Sequence, residues 1–156
     1  GCTFIGGTWK DVTTDDLFKG KRVVMFSLPG AFTPTCSSEE LPSYDRMYNE
    51  FKDMGIDDVY CVSVNDAFVM NAWARDLEIQ HVKMIPDGCG TFTSNMGMLV
   101  AKPKQGFGMR SWRYAAVVND GVVEKMFEEP GFNNFSDDDD PYVVSKPEIV
   151  KNYLNG

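Results

Sequence analysis

The sequence predicts an α/β fold in which a mixed central sheet carries helices on both faces. Two apolar runs, Val23-Val24-Met25-Phe26-Ser27-Leu28 and Val59-Tyr60-Cys61-Val62-Ser63-Val64, have the length and composition of strands buried on both sides. Each is followed by a stretch whose apolar residues recur at helical spacing. Further along, Asn119-Asp120-Gly121 joins two strand-like runs, a strong hairpin signal. The order strand-helix-strand-helix-strand, then a hairpin, then a helix, implies parallel crossovers plus one antiparallel ribbon. It is compatible with a thioredoxin-like fold.

The first strand, 23–28, is ended by Pro29-Gly30. Thr33 then stands where an N-cap is wanted, and Pro34 at the first helical position loses no bond by lacking an N–H. Leu41, Tyr44, Met47, Tyr48, Phe51 and Met54 continue that helix to Gly55, with a kink expected at Pro42. After the strand at 59–64, Asn65 or Asp66 can cap a helix with Phe68, Val69, Ala72 and Trp73 on its apolar face. Residues 82–85 form a short third strand closed by Pro86-Asp87-Gly88. The hairpin strands span 112–118 and 122–128, and Ser145-Lys146-Pro147-Glu148 reads as a capping box opening a last helix through Tyr153. No repeat or linker interrupts this series, so residues 1–156 are read as one domain.

Fifteen Lys and Arg against 23 Asp and Glu give a formal charge of −8. That balance argues against non-specific binding to nucleic acid and to anionic membranes. No apolar stretch approaches the ~20 residues that span a bilayer. The four cysteines, Cys2, Cys36, Cys61 and Cys89, form no C-x-x-C pair, and His81 is the one histidine. No structural zinc site and no other cofactor is expected from such spacing. Free thiols in a reducing, cytoplasmic setting fit better than a disulfide framework, and the start at Gly1-Cys2 without a Met leaves an organellar address open.

With Thr33 as N-cap, Cys36 lies in the first helical turn, beyond the end of a buried strand. Unpaired N–H groups and the positive end of the helix dipole favour a thiolate there, and the thiolate is the nucleophilic form. Position alone fits a small buried hydrophobe equally well. The four-aspartate run Asp137–Asp140 lacks the spacers of a calcium loop and reads as a solvated acidic loop. His81 reads as structural or superficial. Phe32, Phe68 and Phe107 are candidates for an apolar rim or a dimer contact.

Pro29-x-x-x-Thr33-x-x-Cys36 matches the active-site signature Pro-x-x-x-Thr-x-x-Cys of the peroxiredoxins. The longer string from Pro29 to Ser37 resembles the peroxiredoxin-5 (type II, or atypical) subfamily. So do 62–69, 85–88 and Ser111-Trp112-Arg113-Tyr114, and the resemblance spans about residues 9–130. It implies a thiol peroxidase acting on hydrogen peroxide and small alkyl hydroperoxides, with Cys36 as its peroxidatic cysteine. Arg113, rather than Arg110, corresponds to the family's active-site arginine. In this reading Thr33, backbone N–H groups near Cys36 and the Arg113 fork stabilise charge along the breaking O–O bond. Arg113 also lowers the Cys36 pKa, and Pro29 screens the sulfur from water. The alternatives are plain helix capping for Thr33 and a strand-edge surface charge for Arg113.

Oxidised Cys36 would be a sulfenic acid that needs a second thiol. Several members of the subfamily carry that thiol in the C-terminal region, whereas this sequence has no cysteine after Cys89. Cys61 reads as a core residue, and Cys89 as an exposed thiol that is incidental or resolving. A one-Cys scheme follows, with glutathione, glutaredoxin or thioredoxin as external reductant. The strings resemble bacterial hybrid proteins with a fused glutaredoxin domain, and the resemblance also implies a homodimer. The competing reading is a non-enzymatic redox switch built on Cys36.

Overall fold

A computed structural model describes residues 2–5, 8–134 and 140–156, with backbone alone through residue 10. Strands β1 (Cys2–Ile5) and β2 (Thr8–Asp11) pair as an antiparallel hairpin ahead of a short helix α1 (Thr14–Phe18). The strand β3 (Arg22–Ser27) leads into a helical stretch comprising α2 (Leu41–Arg46) and α3 (Tyr48–Asp53). Then come β4 (Asp58–Ser63), α4 (Ala67–Asp76), β5 (Lys83–Pro86) and α5 (Thr91–Asn95). A second hairpin, β6 (Leu99–Lys102) and β7 (Gly108–Ser111), precedes β8 (Tyr114–Asn119), β9 (Val122–Glu128) and α6 (Pro147–Asn155). Among the described residues no helix is long and apolar enough to cross a membrane.

The central sheet has five strands in the order β5-β4-β3-β8-β9. Strands β3, β4 and β5 run parallel, while β8 is antiparallel to β3 and β9 to β8. This is the mixed sheet that the sequence predicts. Period-two alternation sends Val24, Phe26, Val59, Cys61, Ala115 and Val117 into one buried cluster, with Tyr44, Phe51 and Trp73. Val23, Met25, Tyr60, Val62, Tyr114 and Ala116 fill the other face with Phe18, Val100 and Trp112. Asp120 (φ 50°) and Gly121 (φ 80°) make the tight turn between β8 and β9, where two successive positive φ angles match the strand twist.

Several expectations shift. The strand expected at 112–118 begins at Tyr114, because the Trp112 N–H donates to Met98 O at 2.7 Å and draws residues 112–113 out of the sheet. The continuous helix expected from Pro34 to Met54 is broken twice. Residues Cys36–Glu40 form a wide turn in which the Leu41 N–H donates to Cys36 O, five residues back rather than four. This widened turn lies immediately before Pro42, which has no N–H to continue an α-helical ladder. Met47 (φ −91°, ψ 3°) makes the second break. At the C-terminal helix the cap is Lys146, not Ser145, whose hydroxyl instead donates to Glu129 at 2.5 Å. The two peripheral hairpins, α1 and α5 escape sequence reading, since four or five residues show too little periodicity.

Glu129, fully buried, is the anchor for the chain that enters α6. Its carboxylate accepts the Val143 N–H at 3.0 Å and the Ser145 N–H at 2.8 Å, besides the Ser145 hydroxyl. Replacing it leaves buried donors unpaired, so Glu129→Ala is expected to lower stability in urea unfolding by about 2–3 kcal/mol.

Candidate active site

Strand register brings Cys36 and Arg113 together. Ser27 at the end of β3 pairs with Tyr114 at the start of β8, so the chain leaving β3 passes beside Arg113. Cys36, in the first helical turn after that exit, has its sulfur 3.3 Å from the Arg113 Nη2 donor, and both residues are buried. The arginine lies just before β8, between the peripheral hairpin and the central sheet, and not on a strand-edge surface.

Four further groups hold the guanidinium. Its Nε donates to Glu40 Oε1 at 2.7 Å, and its Nη1 donates to Asp140 Oδ1 at 2.5 Å and to Pro141 O at 2.9 Å. The Tyr142 ring lies 5.7 Å away against its face. Glu40 is itself fully buried, and its Oε2 has no hydrogen-bond partner among the described residues. One cation thus faces two carboxylates and a thiol, and three negative charges around it would be under-compensated. Burial pushes the Glu40 carboxyl up to about 8 against the pull of Arg113.

The Cys36 thiol is pushed up, first by burial and then by Glu40, while Arg113, the Thr33 side chain and the Gly30 amide pull it down. Arg113 acts in the expected direction, yet the net direction is upward. The loss of water around the sulfur and a second anion on the same arginine outweigh these donors.

Thr33 begins the helix through its carbonyl, which accepts the Ser37 N–H at 2.9 Å, but its hydroxyl does not cap. That hydroxyl donates back to Gly30 O at 2.7 Å, closing the turn that carries Pro29. Asn65 Oδ1 clamps the same turn by accepting the Ala31 N–H at 3.0 Å and the Ser63 hydroxyl at 2.6 Å. Asp66, not Asn65, is the cap of α4, accepting the Val69 N–H at 2.8 Å. Phe32 takes a left-handed φ of 65° and, like Phe68, is exposed, whereas Phe107 is half-buried. Pro29 presents its carbonyl to Arg110, 3.1 Å from Nη1.

Cys61 is wholly buried on β4 and its thiol is pushed well up by burial, as befits a core residue. Cys89 is free and exposed. His81 stacks on Tyr48 at 4.8 Å on the surface. The Cys2 side chain and Asp137–Asp139 lie outside the described residues, which include Asp140 of the acidic run. Sequence reading missed Glu40 and Asp140. The signal for Glu40 is its spacing, four residues after Cys36 and so on the same helical face. Asp140 offers no comparable local signal.

The Redoxin family pattern matches residues 3–140. A peroxiredoxin of Rhizobium etli is 63% identical over 142 residues, covering 91% of this chain and 79% of that protein. The hybrid peroxiredoxin hyPrx5 of Haemophilus influenzae is 54% identical over 149 residues, covering 96% of this chain but 60% of its own length. Among solved structures, the Plasmodium falciparum antioxidant protein, a 1-Cys peroxiredoxin, superposes with a TM-score of 0.91 at 39% identity, covering 94% of this chain and 86% of that one.

Glu40→Gln keeps an acceptor for Arg113 and removes the buried charge. The Cys36 thiol is then expected to ionise at lower pH than in the wild type, read from thiolate ultraviolet absorbance. Stability should change in parallel. A carboxyl raised from 4.5 to about 8 on folding contributes fully below 4.5 and loses that contribution as pH rises through about 8. The variant should lack this slope, and an unmoved or raised Cys36 titration would refute the coupling.

Proposed function

The chain belongs to the redoxin family, as a peroxiredoxin and hence a thiol-dependent peroxidase, and we propose that Cys36 is its peroxidatic nucleophile. The observation that carries this assignment is the Arg113 donor 3.3 Å from a buried Cys36 sulfur. In the reaction, the thiolate attacks one oxygen of the peroxide and the O–O bond breaks. The other oxygen leaves as hydroxide or alkoxide and takes up a proton, giving water or an alcohol. Cys36 is oxidised by two electrons to the sulfenic acid. Arg113 touches the reacting sulfur and meets the charge developing along that line, while nearby amides and the Thr33 hydroxyl, once its proton turns away from Gly30 O, complete the donor set. Pro29 shields the sulfur at the mouth of the turn.

The substrates in this reading are hydrogen peroxide and small alkyl hydroperoxides. Support comes from the complete burial of Cys36 beneath the 29–34 turn, which favours a slender reactant. We further propose a one-Cys cycle. The sulfenic acid condenses with an external thiol, releasing water and forming a mixed disulfide, and a second thiol then returns Cys36 to its reduced form. Burial of Cys61 and the likeness to a 1-Cys peroxiredoxin support it. Glutathione with glutaredoxin is the favoured reductant on the likeness to a hybrid peroxiredoxin, with thioredoxin as the alternative. Residues 1–156 would act as one domain. The exposed Phe32 and Phe68 beside the site suit a homodimer contact, and the bacterial relatives suit a cytoplasmic setting.

Stopped-flow oxidation by hydrogen peroxide tests the assignment. Cys36→Ser should abolish peroxidase activity, and Arg113→Lys should slow oxidation of Cys36 by about a hundredfold. A wild-type rate no greater than that of free cysteine would instead favour the redox switch. Cys61→Ser and Cys89→Ser should both retain turnover with glutathione and glutaredoxin or with thioredoxin. Loss of turnover in either variant, with Cys36 still oxidised at the normal rate, would overturn the one-Cys cycle.

A further inference from the structure

Gly30 is not among the residues held at positive φ, so its backbone alone does not require glycine. Space requires it. A Cβ placed there would lie 2.4 Å from Arg110 Nη1 and 3.4 Å from Thr33 Cγ2. Arg110 comes from β7, in the peripheral β6–β7 hairpin, where it pairs with Val100. Its side chain turns back to the cysteine loop and is fixed at two points. Nε donates to Phe107 O at 3.1 Å with the Phe107 ring 5.0 Å away, and Nη1 donates to Pro29 O at 3.1 Å.

Pro29 O and the Gly30 N–H are opposite ends of one planar peptide, and no peptide bond among the described residues is cis. A cation on the carbonyl end fixes that plane and polarises the N–H at the other end, as in any hydrogen-bonded chain of low local dielectric. Gly30 O, the next carbonyl, accepts the Thr33 hydroxyl at 2.7 Å.

We propose that Arg110 is a positioning residue for Cys36: by anchoring the Pro29–Gly30 peptide it aims the Gly30 amide and, through the Gly30 carbonyl, sets the Thr33 hydroxyl. The Gly30 amide and Thr33 side chain both favour the ionised sulfur, and the Arg110 guanidinium feels the Cys36 charge. The other charged groups that act on Cys36 are Glu40 and Arg113, and neither hydrogen-bonds Arg110. Arg110 acts through the peptide and touches no reacting atom. The competing possibility is a tether that merely ties the β6–β7 hairpin to the core.

This inference rests on Cys36 as the nucleophile, but alkylation of Cys36 by iodoacetamide reads the thiolate whether or not the protein turns over peroxide. The alkylation rate against pH is measured for Arg110→Gln, Arg110→Lys, Gly30→Ala and the double variant Gly30→Ala/Arg110→Gln, alongside urea midpoints. Arg110→Gln should move the profile to higher pH and slow alkylation at neutral pH by about tenfold. Arg110→Lys should recover part of that loss, and Gly30→Ala should reproduce it by expelling the guanidinium. The double variant should be no worse than either single one, because both substitutions remove the same contact. A profile unmoved in Arg110→Gln, with or without a lower urea midpoint, overturns the proposal. So does additive loss in the double variant. Failure of peroxidase activity with these shifts intact would count against the peroxidase reading alone.

Discussion

A buried guanidinium organises this molecule. Arg113 is 1% exposed, and a charge taken so far from water costs several kcal/mol unless its donors are met. The fold meets them from three directions: Glu40 on the helical stretch, Asp140 and Pro141 from the segment before α6, and the Cys36 sulfur. Cys36 and Glu40 share one helical turn, whereas Asp140 and Pro141 lie about a hundred residues further on, so satisfying one side chain docks two distant segments. The same compensation limits the field at the sulfur, because two carboxylates share the cation that the thiolate needs. Burial weakens that competition by pushing the Glu40 carboxyl up, and the shared arginine links the protonation of a carboxyl to the ionisation of a thiol.

The rest of the architecture holds these partners in place. The parallel half of the sheet delivers the cysteine loop at the end of β3, and the antiparallel half delivers the arginine at the start of β8. Asn65 and Arg110 both grip the loop between Pro29 and Ala31, one by its amide oxygen and one by its guanidinium. Glu129 gathers Val143 and Ser145, which fixes the approach of the Asp140–Tyr142 segment to Arg113.

Much of this was legible in the sequence. The buried runs at 23–28 and 59–64 declared the central strands because nothing polar interrupts them, and Asn119-Asp120-Gly121 declared the hairpin because few other residues accept its backbone angles. Pro29, Thr33 and Cys36 stand out by a short signature and Arg113 by the separate string 111–114, and the structure sets Arg113 against the Cys36 sulfur. What escaped depends on distance or on competition. In the sequence the Ser145 hydroxyl reads as a local cap, but the Glu129 carboxylate, sixteen residues away, is the stronger acceptor. Asp140 could not be found because its partner, Arg113, is 27 residues distant and the intervening chain has no periodicity. The wide turn at Cys36–Glu40 follows from a missing N–H at Pro42, whose effect could be foreseen as a kink but not as a change of hydrogen-bond register. Glu40 was visible by spacing, yet a carboxylate on a helix reads as solvated until the core around it is known.

The separation of Cys36 from Arg113 by 77 positions has a consequence during synthesis. Translation releases the chain from its N-terminus, so the thiol leaves the ribosome well before its cation. The Gly30–Thr33 turn also awaits Arg110, and the closing carboxylate awaits Asp140. A partial chain therefore carries the cysteine without its donors, and the sulfur meets them only when the segments that bear Arg110, Arg113 and Asp140 have folded over it. The surroundings of the sulfur are thus assembled late, by contacts that a fragment ending before Arg113 cannot make.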